Sequence, residues 1–377
     1  MIYFDNAATT APIEAALKKY LDVSSFAYGN PQSRHFFGRE ADKILEEARK
    51  SMLLDLGFKD NHNLLFCSGA TESNNLAIKG TVLKYKNRGN KIITSAGEHP
   101  SVLKTLDELA EIEGFDIVKL PLLANGCVSL EALKDAIDQK TILVSIMAVN
   151  NEVGAINDLK AIKEIMTPYR KALLHVDATQ AVGKVSLPFF LADLISFSGH
   201  KFGALKGCGA LIYRKNIQFV PVNSGGAQES GNRAGTVNVA GAAAMSLALS
   251  IATKSMKKNL ETVKEIRDYL LNELRQIEGV SVNSNPSCLP YVLSISLTNK
   301  KASVVVESLS RKGICVSTVS ACSSKESAKS YVLEAMGVDK HCYLNPIRLS
   351  FSPKSTMEEA KTFVEEFRKS LEEVISL

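Results

Sequence analysis

The chain has 377 residues, with 45 Lys plus Arg against 40 Asp plus Glu and 45% hydrophobic residues. This composition is typical of a globular protein that is too long for one small core, and it favours one large domain with a smaller companion. The net charge of +5 is spread along the chain and forms no block of five or six like charges. Because nucleic-acid-binding arms carry such blocks, we expect no direct nucleic-acid partner.

The N-terminus, the apolar stretches and the cysteines predict a cytoplasmic protein. The first five residues, Met1-Ile2-Tyr3-Phe4-Asp5, lack the basic and apolar regions of a signal peptide. The uncharged stretch 234–253 is rich in Ala, Gly and Ser, so we expect a buried helix there and no membrane partner. The seven cysteines form no CxxC pair, which favours a reduced compartment and predicts no stable metal site.

Short apolar runs alternate with amphipathic stretches over much of the chain. Seven runs predict strands, at 63–67, 91–95, 117–120, 141–147, 173–176, 194–197 and 210–213. Helical patterns lie between most of them, as at 101–113 and 159–169. Alternating strands and helices predict an α/β domain whose mixed, mostly parallel sheet is covered by helices on both faces.

The pattern changes after about residue 254 and predicts a smaller α+β domain. A charged helix, two strand-like runs and two further helices are expected at 256–278, 280–283, 291–296, 302–312 and from 356 onwards. We divide the chain into an N-terminal segment that packs with the small domain, a large domain and the small C-terminal domain, at 1–14, 15–254 and 255–377. A ligand site is expected where the two domains meet.

Two polar motifs directly follow predicted strands. One contains Asp177, and the other is Ser196-Phe197-Ser198-Gly199-His200-Lys201. Open α/β sheets bind ligands at the carboxyl ends of their strands, so Asp177 and Lys201 should emerge at that edge. A carboxylate that pairs with a protonated pyridine nitrogen and a lysine that forms a Schiff base are what pyridoxal phosphate requires. Taken alone, Lys201 would be a surface lysine and Asp177 a helix N-cap.

The segment 67–76 combines a strand end, a small turn and an amphipathic helix. The backbone N–H groups of Gly69, Ala70 and Thr71, together with the helix dipole, would bind a phosphate. The same residues also fit a capping box, in which Ser68 or Thr71 caps the helix. The residues alone do not choose between these two interpretations.

Cys322 differs from the other cysteines because its neighbours, 317–325, are small and polar and show no apolar periodicity. This pattern is typical of an exposed thiol on a loop. Cys67 and Cys208 have apolar or glycine neighbours and are expected to be buried. Cys315 fits either a buried strand cysteine or a residue that relays sulfur to Cys322.

Eight motifs in chain order closely resemble the cysteine desulfurases of the NifS/IscS type, which belong to the class V aminotransferase family and have the fold type I of pyridoxal phosphate enzymes. They are Asp5-Asn6-Ala7-Ala8-Thr9-Thr10, 68–73, Glu98-His99, 149–152, 175–180, 196–201, 233–236 and Ser320-Ala321-Cys322. The match covers nearly the whole chain. The long segment around Cys322 is similar to the NifS/IscS group and differs from the SufS group, whose cysteine lies in a shorter segment.

The resemblance implies a role for each site residue. Lys201 would bind pyridoxal phosphate covalently, Asp177 would pair with its ring nitrogen, and His99 would stack on the ring and shuttle protons. Further contacts to the phosphate, the ring oxygen or the substrate would come from Ala70, Thr71, Asn151, Gln180, Ser198 and His200. Thr236 would reach the phosphate of the other subunit of a homodimer. Arg348, assisted by Asn30, would bind the substrate carboxylate.

The implied activity is removal of sulfur from L-cysteine, which yields L-alanine and a persulfide on Cys322. The resemblance suggests an iron-sulfur scaffold protein or a tRNA-thiolating enzyme as the sulfur acceptor, with Cys322 as a transient iron-sulfur ligand. A selenocysteine lyase, another class V aminotransferase or an inactive sulfur-carrier platform are the alternatives. The sequence departs from its relatives at 202–207 and 224–229, so we expect a different loop geometry there.

Overall fold

A computed structural model of the chain describes residues 1–318 and 329–374. The strands in this part of the chain are β1 (Ile2–Tyr3), β2 (His62–Cys67), β3 (Lys91–Ser95), β4 (Asp116–Leu120), β5 (Thr141–Ser145), β6 (Leu173–Asp177), β7 (Leu194–Ser198), β8 (Gly209–Arg214), β9 (Val280–Val282), β10 (Val292–Leu297), β11 (Ile314–Cys315) and β12 (Pro346–Ser350). All seven strands predicted in the first part of the chain are confirmed, with ends that differ by no more than two residues.

The helices of the described residues are α1 (Glu14–Phe26), α2 (Phe36–Asp55), α3 (Ala70–Asn75), α4 (Thr81–Tyr85), α5 (Pro100–Glu113), α6 (Leu130–Ala136), α7 (Leu159–Met166), α8 (Val239–Lys254), α9 (Met256–Leu274), α10 (Ala302–Arg311), α11 (Tyr331–Ala335), α12 (Lys340–Leu344) and α13 (Met357–Glu373). A π-helical turn, Leu76–Gly80, joins α3 to α4. Short 3₁₀ turns lie at Lys86–Arg88, Phe189–Leu191, Gly199–Lys201 and Gln228–Gly231.

A seven-stranded sheet in the order β2-β8-β7-β6-β5-β3-β4 forms the centre of the fold. Only β8 runs antiparallel to its neighbours in this sheet, so the carboxyl ends of the other six strands meet at one edge. Strands β5 and β7 are buried along their whole length, because helices cover both faces of a mainly parallel sheet. The predicted α/β fold is therefore confirmed.

Helix α8 is the buried helix predicted from the small-residue stretch. Its first eleven residues are buried except Leu247, and their small side chains allow close packing against α1 and α2. It begins later than the stretch because the Asn238 side chain accepts the Gly241 N–H and caps the helix. In the described residues no single helix is long and apolar enough to cross a membrane; α8 and α9 meet that test of length and composition only together, and they are bent by 69°.

The C-terminal part of the chain builds a smaller antiparallel sheet in the order β12-β10-β9. Strand β1, from the opposite end of the chain, pairs in parallel with β11. The next residue, Phe4, is fully buried, with its ring centroid 5.1 Å from that of Phe351 and 6.0 Å from that of Phe363. The N-terminal segment thus contacts the C-terminal sheet, while the exact domain bounds at 14 and 254 stay a prediction.

Candidate active site

A cavity of about 510 Å³ lies at the carboxyl edge of the central sheet. Strands β2, β3, β5, β6 and β7 all end at or near it, and its volume is in the range of small-molecule sites. Ten of the predicted site residues line it together: Ala70, Thr71, His99, Asn151, Asp177, Gln180, Ser198, His200, Lys201 and Arg348.

Two other predicted site residues, Asn30 and Thr236, are not part of this lining. Asn30 lines a separate cavity of about 410 Å³, and Thr236 lines a small one of about 90 Å³ that shares Ser68 and Gly207 with the active-site cavity. Cys322 lies outside the described residues. The roles expected of Asn30, Thr236 and Cys322 therefore stay predictions.

Lys201 lies at the end of the 3₁₀ turn that follows β7. Its Nζ donates to the carbonyl oxygens of Ala7 and Ala8, each at 2.6 Å. These carbonyls belong to the motif at 5–10, so the N-terminal segment forms one wall of the cavity. The sequence singled out that motif but gave Ala7 and Ala8 no role, because a backbone carbonyl leaves no signature in side-chain chemistry.

Asp177 is the last residue of β6, and only 5% of its surface is exposed. Its Oδ1 accepts the backbone N–H of Thr179, which caps the following turn as expected of an isolated Asp. Its Oδ2 accepts a hydrogen bond of 2.8 Å from the side chain of Asn74. A carboxylate fixed in this way by two donors holds one orientation at the floor of the cavity.

A chain of hydrogen bonds leads from Asp177 to His99. Asn74 Nδ2 also lies 2.9 Å from Ser101 Oγ, which in turn lies 2.9 Å from His99 Nδ1. Since Nδ1 also accepts the Ser101 backbone N–H, a neutral His99 carries its proton on Nε2. Burial lowers the pKa of His99, which favours this neutral form. His99 is thus both an ordinary helix N-cap and a residue of the cavity.

The sequence analysis assigned no role to Asn74 or Ser101, although both follow motifs that it identified. Each side chain is buried, Asn74 completely, and each is small and polar. A buried amide needs partners, but the sequence cannot show that the partners come from β6 and from the start of α5.

Gly69 is the N-cap residue of α3, and no described side chain caps this helix. The capping-box interpretation is therefore wrong: Glu72 accepts the Ser68 N–H at 2.6 Å, but Ser68 and Thr71 do not cap. A glycine is required at 209, because a Cβ there would lie 2.5 Å from the Gly69 Cα atom. Ala70 and Thr71, the first residues of this helix, line the cavity together with Ser198. The first N–H groups of a helix have no partner within it, so they can bind an anion there.

Gln180 contacts a buried lysine that the sequence analysis did not identify. Lys184 Nζ donates to Gln180 Oε1 at 2.8 Å, and Gln180 Nε2 donates to the Ala7 carbonyl at 3.0 Å. The lysine can only donate, so it fixes which end of the Gln180 amide faces Ala7. Burial, with the nearby Lys201 and Arg348 charges, lowers the pKa of Lys184 to about 7.

Arg348, on β12, comes to the cavity from the C-terminal sheet. One terminal nitrogen lies 3.1 Å from Asp5 Oδ1, and the other donates to the Asn151 carbonyl at 3.1 Å. Its Nε is buried and has no hydrogen-bond partner among the described residues, and the same holds for Asn151 Oδ1 and Thr179 Oγ1. These three residues line the cavity, so a polar ligand there would satisfy atoms that the protein leaves unpaired.

The residues on either side of the Cys322 segment are held at the cavity. Ser317 and Arg348 exchange two backbone hydrogen bonds, of 3.2 and 2.8 Å. On the far side, Ser330 donates to the Glu152 carboxyl group, and Tyr331 Oη donates to the Glu98 carbonyl at 2.8 Å. Burial raises the pKa of Glu152 to about 7. Both neighbours of the segment are thus fixed next to Arg348 and Glu152, which line the cavity.

The described cysteines other than Cys315 are poor nucleophiles. Burial raises the pKa of the Cys67 thiol far above its ordinary value and the pKa values of Cys208 and Cys288 to about 11. A thiol must ionise to attack, so these side chains are packing residues, as predicted for Cys67 and Cys208. Cys315 is half-buried in β11, where it pairs with Tyr3 of β1.

Comparisons with known proteins agree with this geometry. A family model described as aminotransferase class V matches residues 2–363. The chain is 38% identical to a NifS/IcsS protein homolog of Lactobacillus delbrueckii subsp. bulgaricus, over 97% of this chain and 96% of that protein. It is 39% identical to a protein of Serratia proteamaculans named cysteine desulfurase IscS, over 98% and 92%.

A solved structure of a NifS-like protein superposes with a TM-score of 0.92 at 35% identity, covering 98% of this chain and 99% of the other. This agreement extends over both sheets. The chain therefore belongs to the class V aminotransferase family, among relatives of the NifS/IscS type.

Proposed function

We propose that the protein is a pyridoxal-phosphate-dependent cysteine desulfurase that converts L-cysteine to L-alanine and a persulfide on Cys322. The observation that carries the proposal is the convergence of Lys201, Asp177 and Arg348 on one cavity, from the turn after β7, the end of β6 and strand β12. The relatives named cysteine desulfurase favour this reaction over a selenocysteine lyase or a plain aminotransferase.

The residues present fit pyridoxal phosphate. Lys201 supplies the amine for covalent attachment, and Asp177 supplies a buried carboxylate for the ring nitrogen. The start of α3 supplies N–H donors for the phosphate, with Thr71, Ser198 and His200 beside it. When bound, the cofactor acts as an electron sink that weakens bonds at the α-carbon of an amino acid. The unpaired polar atoms of Asn151 and Thr179 support a polar occupant of this size.

Arg348 binds the carboxylate of the substrate. Its guanidinium is held by Asp5 and by the Asn151 carbonyl, and its buried Nε has no partner among the described residues. A planar guanidinium binds a carboxylate through two parallel hydrogen bonds, which a lysine cannot do. This contact favours a free α-amino acid over a peptide, whose α-carboxyl group is blocked.

Lys201 and His99 both line the cavity and would handle protons there. The Lys201 amine lies within hydrogen-bond distance of the Ala7 and Ala8 carbonyls and would remove the proton from the α-carbon of the substrate. His99 is neutral near pH 7, because burial lowers its pKa, and it presents the Nε2 proton that the Ser101 contacts leave to it. It can therefore donate a hydrogen bond without adding charge.

Cys322 is the acceptor of the sulfur atom. Its thiolate would attack the sulfur of the bound cysteine, so that the S–S bond of the persulfide forms as the carbon–sulfur bond breaks. The electron pair of the broken bond stays with the β-carbon, which takes up a proton, and the α-carbon regains the proton that it lost, which gives alanine. Cys322 is four residues beyond Thr318, which at full extension spans no more than ~14 Å. Since Ser317 is hydrogen-bonded to Arg348, chain length allows this thiol to reach the substrate.

The further partners follow from the resemblance. We propose a homodimer in which Thr236 completes the phosphate site of the other subunit, and an iron-sulfur scaffold protein or a tRNA-thiolating enzyme as the acceptor of the persulfide sulfur. Thr236 is not among the residues that line the active-site cavity of its own chain, which is compatible with a role in the other subunit. The six described cysteines are free thiols, which supports a reduced, cytoplasmic setting.

The test is the amount of alanine formed from L-cysteine with added pyridoxal phosphate and a thiol reductant. The wild type should form alanine, and Cys322→Ser should form none while it still binds the cofactor. Cys315→Ser is the matched control and should keep the activity. Alanine from Cys322→Ser would contradict the assignment, and loss of activity in Cys315→Ser alone would make Cys315 the acceptor.

A further inference from the structure

A second cavity, of about 400 Å³, lies behind Lys201. Its lining has only Lys201 in common with the active-site cavity. The N-terminal segment, α8 and residues just outside β10 and β12 line it, and Ile13, Phe202, Ile251 and Ala252 give it apolar walls. Its volume is far larger than a single water or ion needs, so it has room for an organic molecule.

Two buried polar side chains line this rear cavity without adequate partners. Tyr291 is 3% exposed, and its hydroxyl has no hydrogen-bond partner among the described residues. Lys184 is 5% exposed, and its ammonium has three protons but one hydrogen bond, to Gln180, in the described part of the chain. Buried polar groups are normally satisfied, so two of them in one cavity indicate a missing ligand.

The charge of the ligand follows from its surroundings. No carboxylate forms an ion pair with Lys184 in the described residues, and its ammonium lies 5.7 Å from the centre of the Tyr291 ring. Among the described residues, the only acidic one in the lining is Glu359, which accepts the backbone N–H of Thr356 at the start of α13. An anionic ligand would supply the partner that a buried ammonium lacks and would thereby favour the charged form of Lys184.

The turn that carries Lys184 is built for this placement. Gly183 has a φ of +74°, and a Cβ there would lie 3.0 Å from the Phe202 Cβ and 3.1 Å from the Ala252 Cβ. Glycine therefore allows the turn to pass between the two walls and to bring Lys184 to the cavity. The backbone at Gly183 therefore fixes the position of Lys184, whereas the side chain of a typical surface lysine extends into solvent.

We propose that the rear cavity binds a small amphiphilic carboxylate, with its anionic head at Lys184 and Tyr291 and its apolar tail against Ile251 and Ala252. A carboxylate matches the few donors present, whereas a phosphate is usually held by several backbone N–H groups or an arginine. The apolar walls exclude a fully hydrated inorganic anion as the preferred occupant. The ligand would contact Lys184, which orients Gln180 in the active site.

The test is calorimetric titration of the full-length protein, loaded with pyridoxal phosphate, with sodium octanoate as the probe. We expect saturable binding of octanoate and none of octanol, because the neutral head cannot pair with Lys184. Lys184→Met should weaken binding by at least roughly tenfold, and Tyr291→Phe by a smaller factor. The matched control is Lys171→Met, an exposed lysine, which should bind octanoate like the wild type.

The outcomes that would overturn the proposal are distinct from these. Absence of saturable binding in the wild type, or equal binding by Lys184→Met, would do so. Displacement of octanoate by excess L-cysteine would place the probe in the active-site cavity and would also contradict it. If Lys184→Met fails to fold, Ala252→Phe carries the same test, because a phenyl ring at 252 would fill the cavity and should abolish binding.

Discussion

Two regions build the candidate site in different ways. We call them the sheet edge, at the carboxyl ends of the central strands, and the seam, where residues of the C-terminal sheet and its neighbours meet the N-terminal segment. The sheet edge consists of residues at or just after a strand end, such as Asp177 and Lys201, and their backbone is fixed by the central sheet. The seam consists of Asp5, Glu152, Ser317, Ser330 and Arg348, which join residues up to 343 positions apart. The edge is held by a whole hydrogen-bonded sheet, whereas the seam is held by a few polar contacts.

This difference predicts a division of labour. Under the proposed function, the sheet edge holds the cofactor and the seam holds the substrate carboxylate. A change at the edge should alter cofactor binding or the chemical step, while a change at the seam should alter the Michaelis constant and leave the cofactor in place. The variants below test this division, and their expected effects decrease from the first to the last.

Lys201→Ala should have the largest effect, because it removes both the point of covalent attachment and the base. We expect alanine formation to fall by at least ~10³-fold. The absorption band of lysine-bound pyridoxal phosphate should also disappear. Lys206→Ala is the control, since Lys206 lines the same cavity without following β7 directly, and it should keep the absorption band. A normal band in Lys201→Ala would contradict the assignment.

Arg348→Lys removes the guanidinium contacts of the seam and should raise the Michaelis constant for L-cysteine by roughly 10²-fold. A lysine keeps the charge but loses the second parallel hydrogen bond to the carboxylate, and it leaves Asp5 with a weaker partner. Steady-state kinetics and a cofactor titration together measure this variant, and the affinity for pyridoxal phosphate should be unchanged. Arg368→Lys, at an exposed position, is the control. A weaker affinity for the cofactor would show that edge and seam do not act separately.

Asn74→Ala tests whether the hydrogen bonds around Asp177 at the sheet edge contribute to cofactor binding. It removes the donor to Asp177 and breaks the hydrogen-bond chain to His99, so we expect roughly tenfold weaker cofactor binding. Unfolding by urea should show a loss of about 1–3 kcal/mol, the range for a buried partner left unsatisfied. Asn272→Ala, on the exposed face of α9, should show neither effect. Unchanged cofactor affinity in Asn74→Ala would mean that the chain to His99 is only structural.

Glu98→Gln should have the smallest effect on activity, and its effect on stability depends on pH. Burial raises the pKa of Glu98 to about 8, so the folded state keeps a proton that the unfolded state loses above about pH 4.5. The wild type therefore loses stability relative to Glu98→Gln as the pH rises from about 4.5 to 8. We expect a difference of roughly 1 kcal/mol or more across this window, measured by urea unfolding at several pH values. A difference that does not change with pH would mean that Glu98 is already ionised when folded.

The two loops whose sequences depart from the relatives, 202–207 and 224–229, each have a defined conformation in the structure. After Lys201, Phe202 is buried with its ring 6.2 Å from that of Phe197, and Gly203 has a φ of +91°. The buried Phe202 ring therefore anchors the turn, and Gly203 supplies its left-handed backbone conformation. In the second loop Glu229 has a φ of +48°, a strained value for a residue with a side chain, and its buried carboxylate pairs with Arg49.

Sequence alone predicted the strands, the polar residues after them and the family resemblance. Apolar periodicity is local, so Asp177 and Lys201 could be placed at a sheet edge from their neighbours. The sequence left open whether Gly69 begins a phosphate cradle or a capping box. That choice depends on which residue is the N-cap, and therefore on how closely β8 approaches.

Only the tertiary structure decided which distant residues meet. Asn74, in α3, reaches Asp177 at the end of β6 and Ser101 at the start of α5, and Gln180, oriented by Lys184, reaches the Ala7 carbonyl. A buried polar side chain can be recognised as needing a partner, but its partner is set by packing and chain topology. The sequence determined the chemical groups of this protein, and the fold determined their distances, since hydrogen bonds depend on geometry that no local pattern contains.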